Sequence, residues 1–244
     1  MKKRWSLSRG SKSWLVPTTV ILAVAALSAI AFTSGASSKA STNPETSTSA
    51  MVSQSTQQVN LARRKSGDPL AIGSIDAPVV LIEYSDFQCP FCGMFARNTE
   101  PSLIKKYVAN GTLRIEWRDF PYLGSESTTA ALASRAAANQ GKFWQYHDAL
   151  FAHQFFPNSE HLTESYLTDI ARTLGLNLEE FRTDLHSSAT KTAVNKDFIE
   201  GQNIGVTGTP SFLVNFTPIV GAQPLAVFTQ AIELAAAQAT MKAK

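Results

Sequence analysis

The sequence predicts an α/β domain in which a block of helices separates a βαβ half from a ββα half. Three observations predict it. Residues 77–84 (APVVLIEY) form a short, almost unbroken apolar run, followed by apolar residues at helical spacing and then by the alternating segment TLRIEW, 112–117. From about 125 to 203 the pattern is helical throughout. Only after that does a second apolar strand come, Ser211–Val214, with a short edge strand at 218–220 and a closing amphipathic helix over 224–238. Strand, helix, strand in that order is a βαβ unit, and its strands are covered on both faces.

Each element has a local reason. The run 77–84 is too short and too uniformly apolar for a surface helix and reads as a strand buried on both sides. Phe91, Met94 and Phe95, then Leu103, Ile104, Tyr107 and Val108, keep helical spacing up to Asn110-Gly111, and Pro101 inside that helix is expected to kink it. The Ala-rich stretch after Ser125 is expected to break at Gly141. Leu162, Tyr166, Ile170 and Leu174 fall four apart and predict one stripe of one helix, which Gly175 would terminate. The next helix, from Leu178, opens on acids, which the helix N-terminus favours. Another is expected over 189–203, ahead of the loop GVTGTP, 205–210.

The chain divides around this domain. Residues 1–13 are basic, with five Lys or Arg and no acid, and residues 14–32 carry no charge at all. Nineteen such residues are close to the ~20 needed to cross a bilayer, and the basic flank places the N-terminus in the cytoplasm. The segment is read as a retained signal-anchor; the alternative is a cleaved signal peptide ending near Ala36 or Ala40. Either way the remainder is exported. Residues 33–67, rich in Ser, Thr and Ala up to residue 60, read as a flexible tether, and the domain as 68–240. The net charge of +3 belongs to the leader: nine of the 22 basic residues and one of the 19 acids lie before residue 66, so the rest carries 13 basic and 18 acidic residues, a net of −5. A nucleic-acid-binding domain should carry a basic face, and nothing in that balance suggests one.

Cys89 and Cys92 are the only cysteines. Outside the cytoplasm structural disulfides persist, but a bridge closing a two-residue loop constrains the unfolded chain little. Structural zinc would need two further ligands, and His147, His153, His161 and His186 lack paired spacing. Redox chemistry has a positive mechanism. With Pro90 at the first helical position, Cys89 caps the helix, where free N–H groups and the dipole favour its thiolate. Cys92 follows one turn later on the same side, placed to resolve a mixed disulfide.

Strand-SDFQCPFC-helix followed much later by GVTGTP-SFLV resembles the DsbA-like branch of the thioredoxin superfamily, in its membrane-tethered Gram-positive and actinobacterial form. The resemblance implies a thioredoxin fold with a helical insertion at about 125–203, Cys89 as the exposed nucleophile and Cys92 as its buried partner. It also implies a cis peptide at Pro210, after the variable Thr209, in a loop that offers backbone hydrogen bonds to an extended substrate. Glu83 stands where the superfamily often has a buried acid. It is read either as a proton shuttle for Cys92 or as a partly solvated acid at a strand edge, with Asp86 shaping the turn into the helix. Two departures stand out. Phe91 replaces the His of the strongly oxidising members, and Asn215-Phe216 replaces Asn-Gly in the hairpin, which predicts a longer or differently built turn.

The expected function is insertion of disulfides into exported polypeptides, with a quinone-linked membrane re-oxidase of the DsbB or vitamin K epoxide reductase type. The rivals are a reductase or isomerase of the same fold and a non-catalytic polypeptide-binding module. The aromatic residues Phe143, Trp144, Tyr146, Phe151, Phe155 and Phe156 are read as core packing ahead of a peptide groove. No metal, nucleotide or flavin site is expected, and no cofactor beyond the cysteine pair.

Overall fold

A computed structural model describes residues 60–242. The basic segment, the 14–32 span and most of the tether lie outside the described residues. Among the described residues no helix is long and apolar enough to cross a membrane.

The strands are β1 (Ala71–Ile72), β2 (Val79–Ser85), β3 (Leu113–Asp119), β4 (Ser211–Val214) and β5 (Thr217–Val220). They form one sheet in the order β1-β3-β2-β4-β5, with β2 and β3 parallel and the other pairs antiparallel. The helices are α1 (Pro90–Asn98), α2 (Glu100–Leu103), α3 (Ser125–Asn139), α4 (Phe143–Ala152), α5 (Glu164–Thr173), α6 (Leu178–His186), α7 (Ser188–Asn203) and α8 (Leu225–Lys242). A single π-turn, Ile104–Val108, follows α2.

Strand β2 is buried along its whole length, as its unbroken apolar run requires. Its odd positions Val79 and Leu81 pack with Phe95 of α1, Phe212 of β4 and Phe228 and Ile232 of α8. Its even positions Val80, Ile82 and Tyr84 pack with Phe120 on the other face, where Phe198 of α7 and Leu61 cover them. The insertion has its own core, built from Ala130, Ala133, Ala137, Tyr146, Leu167 and Phe181, which is continuous with Phe87, Cys89, Cys92 and Trp117 at the end of the sheet. The site therefore lies where the two cores meet.

Three expectations differ from the structure. Residues 61–65, assigned to the tether, pack against the sheet: the Arg63 and Arg64 amides donate to Glu116 at 2.9 Å each, and Leu61 joins the β2 core. The polar positions of the alternating strand β3 are buried as well: the same strap and α7 cover Arg114, Glu116 and Arg118. The four-apart stripe is only partly one helix. Leu162 and Leu174 flank α5, whose buried residues are Leu167, Thr168 and Ala171, while Gly175 does end it, at φ +73°. The hairpin turn is not longer but is differently built, as the second alternative expected: Val214 pairs with Thr217 across Asn215-Phe216, and Asn215 takes the positive φ (52°) alone. Its side chain is held by the Val80 amide at 2.8 Å, so Phe216 never has to adopt that conformation.

Pro101 has a larger effect than a kink. It lacks the N–H that a continuous helix would need, and the chain breaks between α1 and α2 at Thr99. That break turns Glu100 inward, to 2 % exposure.

Candidate functional site

Strand β2 ends at Ser85 and the chain reaches α1 through Asp86, Phe87, Gln88 and Cys89. This loop is fixed from three sides. Asp86 accepts from the Gln88 amide at 2.8 Å and from the Tyr122 and Leu123 amides at 2.8 and 2.9 Å, tying the loop to the segment after β3. Gln88 donates to Ser127 Oγ at 2.8 Å and accepts from the Asn158 amide at 2.6 Å. Gln154 Nε2 donates to the carbonyls of Phe87 and Cys89, both at 3.0 Å. Asp86 thus shapes the turn, as its position implied. Burial raises its pKa and these hydrogen bonds oppose the rise.

Cys89 is the N-cap of α1 with extended backbone (φ −71°, ψ 118°), and Pro90 occupies the first turn, where no amide hydrogen is needed. Both thiols are reduced. The Cys89 thiol is pushed down to about 6. Its largest cause is a hydrogen bond from Cys92; the Thr209 side chain and the amides of Cys92 and Phe91 add to it, against burial. Burial pushes the Cys92 thiol in the opposite direction, well above the ordinary range, and its bond to Cys89 reinforces this. The pair is therefore polarised into one nucleophile and one proton-holding partner.

The expectation that Cys89 is exposed is corrected. Only 4 % of it is accessible, because the loop before β4 lies over it: the thiol contacts the Thr209 carbonyl at 3.3 Å, and the Thr209–Pro210 peptide is cis. Phe91, by contrast, is 56 % exposed, and Met94, Tyr122 and Phe156 are exposed as well. Of the six aromatic residues named in the insertion, Phe143, Tyr146 and Phe151 are core, Trp144 and Phe155 are half-buried, and only Phe156 projects.

Glu83 is fully buried on the β2 face that looks toward α1, which settles its environment against the solvated strand edge. Burial lifts its carboxyl to about 8, with the nearby Ser85 hydroxyl as a smaller opposing influence. Ser85, two residues on and so on the same strand face, also lies beside Cys92. Sequence reasoning missed Ser85, Gln88, Glu100, His147 and Gln154. The period of two marks Ser85; the other four are brought in by tertiary packing. Among the described residues no group of three or more His, Cys, Asp or Glu side chains is arranged to hold a metal ion.

Residues 65–234 match the family model described as Thioredoxin. The chain belongs to the thioredoxin family. Within it, the chain is 34 % identical over 149 residues to the "Probable disulfide bond formation protein D" of Bacillus cereus, covering 59 % of this chain and 69 % of that one. The structure is similar to oxidised BdbD from Bacillus subtilis, with a TM-score of 0.65, 27 % identity, and coverage of 70 % of this chain and 93 % of that one. It matches the fold of Wolbachia pipientis α-DsbA1 equally well, at TM-score 0.65 and 23 % identity, over 72 % of this chain and 94 % of that one. This thioredoxin-family domain is a DsbA-like thiol–disulfide oxidoreductase, and its fold is the sheet with a helical insertion described above.

Proposed function

We propose that the domain works outside the cytoplasm as a donor of disulfides to exported polypeptides. The observation that carries this is the polarised thiol pair: Cys89 lowered to about 6 and Cys92 raised by burial. A substrate thiolate attacks Cys89 Sγ, the Cys89–Cys92 bond breaks, and Cys92 leaves as a thiolate that takes up a proton. A second substrate thiolate then attacks the substrate sulfur of the mixed disulfide, and Cys89 leaves as a stable thiolate. Stabilising that leaving group favours the reduced protein and so the oxidising direction. Glu83, protonated at neutral pH, serves as the proton source for Cys92. The backbone of Thr209, ahead of the cis peptide, is the strand-like edge offered to an extended peptide, since Pro210 has no N–H and its carbonyl accepts from the Gly221 amide at 2.8 Å; exposed Phe91, Met94, Tyr122 and Phe156 give apolar contact without sequence selectivity.

The reduced pair requires re-oxidation, and a membrane enzyme of the DsbB or vitamin K epoxide reductase type fits the chemistry. Residues 14–32, as a signal-anchor, would hold both enzymes at one surface and raise their effective concentration.

The reduction potential tests this reading. Thioredoxin pairs a nucleophile pKa of about 7 with about −270 mV, and DsbA about 3.5 with about −120 mV. Interpolating to about 6 gives an expected potential of about −230 mV, a mild oxidant. Equilibration of the soluble domain with glutathione measures it. A value at or below about −270 mV would make the protein a reductase.

The expected mildness follows from the Phe91 side chain, which offers the Cys89 thiolate neither charge nor hydrogen bond; only the Phe91 amide does. Phe91→His is expected to lower the Cys89 pKa and raise the potential by about 30 mV per pKa unit. Parallel alkylation and glutathione titrations should move together; a lowered pKa at unchanged potential would break the proposed link.

A further inference from the structure

Below the cysteine pair lies a second cluster of buried polar groups that thiol exchange at Cys89 does not itself use. Both carboxylate oxygens of Glu83, Ser85 Oγ, Glu100 Oε1, Trp144 Nε1 and His147 Nε2 are buried with no hydrogen-bond partner among the described residues. Unpartnered buried polar atoms are rare and costly, and here they follow one another: Ser85 lies beside Cys92 and Glu83, Glu83 is near enough for its charge to act on Glu100, and the His147 ring is 5.2 Å from that of Trp144. The cluster has an outlet. A groove of about 570 Å³ between α1–α2 and α4 is lined by Arg97, Glu100, Pro101, Lys105, Asp148 and Phe151, so Glu100 borders both the buried cluster and the groove. His147 Nε2 lies 4.0 Å from Glu100 Oε2, and its Nδ1 is 2.9 Å from Asp148, whose side chain is 77 % exposed. With Nδ1–H donated to Asp148, the Nε2 lone pair faces Glu100, an assignment made from the hydrogen bond.

We infer that Ser85, Glu83 and Glu100 form a proton route joining Cys92 to solvent at the α2–α4 groove. The inference rests on the disulfide-exchange reading and extends it beyond Glu83. When Cys92 leaves the disulfide as a thiolate, Ser85 Oγ–H supplies its proton and recovers one from the Glu83 carboxyl. Glu83 is reprotonated by Glu100, and Glu100 from the groove, directly or through His147 and Asp148; because these atoms lie beyond hydrogen-bond distance of one another, each transfer runs through a bridging water. On re-oxidation the Cys92 proton departs along the same groups as its sulfur attacks. Electrons stay on sulfur: two pass from the substrate dithiol to the cysteine pair, and only protons use the route.

The ionisable surroundings support this. Burial, then the neighbouring charge of Glu83, then that of Asp148 push the Glu100 pKa well up, which favours its protonated form. Burial lowers His147, which stays neutral despite Asp148. The groups facing the cluster are Cys89 and Cys92 from α1, Asp148 and His147 from α4, and Arg97 and Lys105 at the groove mouth. No cation lies within hydrogen-bond distance of Glu83 or of Glu100 Oε1 among the described residues, which leaves their protons available.

Glu100→Gln preserves shape and neutral charge while removing proton transfer. The test is stopped-flow reduction of the oxidised domain by glutathione across pH, with alkylation of Cys89 in the reduced domain as the control. The expected result is a slowing of about ten-fold in the step that releases Cys92, within the range for lost general acid catalysis, with an altered pH profile and partial rescue in Glu100→Asp. Ser85→Ala is expected to act the same way. Infrared difference spectra between oxidised and reduced protein should show a carboxyl band that Glu100→Gln removes. Wild-type rate and pH profile in Glu100→Gln would overturn the route while leaving the exchange reading intact. Absence of any Cys89–glutathione adduct in Cys92→Ala, where no resolving thiol can remove it, would overturn both.

Discussion

Cys89→Ser is expected to abolish thiol–disulfide exchange, reducing it to the uncatalysed reaction of substrate with glutathione, whereas Cys92→Ala is expected to trap substrate. The asymmetry follows from the two environments. Cys89 sits at the start of α1 and, of the two cysteines, is the one that keeps accessible surface, 4 % against none, so it is the sulfur that an incoming peptide thiolate reaches. Cys92, fully buried, can resolve a mixed disulfide but cannot form one with a protein. Without it the covalent adduct persists and should appear on non-reducing gels with reduced, unfolded substrate. In the wild type, alkylation of Cys89 should rise with a midpoint near pH 6 as the thiolate forms, while Cys92 remains unmodified through neutral pH. Cys92→Ala should move that midpoint upward, because the Cys92 hydrogen bond is the largest influence lowering Cys89. A midpoint that stays at about 6 would assign the effect to the helix terminus and Thr209. Retained exchange in Cys89→Ser would sink the enzymatic reading, since a polypeptide-binding module alone survives that change.

The parts of this site that the sequence carried are those where one residue type has one physical use. Two cysteines three apart, with proline at the first helical position, specify a capped thiol whatever the rest of the fold does. The runs at β2 and β4 were legible because a strand covered on both faces leaves no polar alternation to misread. Strand β3 shows the limit. Arg114, Glu116 and Arg118 alternate with apolar residues as they would on a solvated face, and only the strap at 61–65 and α7, distant in sequence, bury them. Glu100 failed for a related reason. An acid next to proline in an amphipathic segment reads as surface, and its burial depends on the break at Thr99 and on α4 some fifty residues later. The same holds for Gln88 and Gln154, whose amides hold the active loop from the insertion: no local period marks a side chain chosen to meet a carbonyl 65 or 67 residues away.

The largest stability effect is expected at Glu116, away from the chemistry. Its side chain is fully buried and accepts four hydrogen bonds: from the Arg63 and Arg64 amides at 2.9 Å, from Arg114 Nε at 3.0 Å and from Arg118 Nη2 at 2.9 Å. Arg118 also reaches Glu200 of α7 at 2.9 Å, and Arg63 reaches Asp197 and Glu200 at 2.6 and 2.7 Å. Glu116 thus joins the strap, β3 and, through the arginines, α7. Glu116→Ala would strand the buried Arg118 with half its counter-charge and leave two strap amides without acceptors. Breaking one partner from such a network costs about 3–5 kcal/mol, a large part of a typical folding free energy. Urea unfolding at pH 7 measures it, and a loss below about 1 kcal/mol would mean that the strap packs independently of the network. The pH dependence supplies a second check. Burial acts to raise the Glu116 pKa, but its donors win and hold it at about 2. Because the folded value is depressed, this stabilisation is complete above the unfolded value of 4.5 and is lost as pH falls from there toward 2. The gap between wild type and Glu116→Gln should therefore narrow over that interval. A gap that is constant with pH would place the stabilisation in the shape of the side chain instead of its charge.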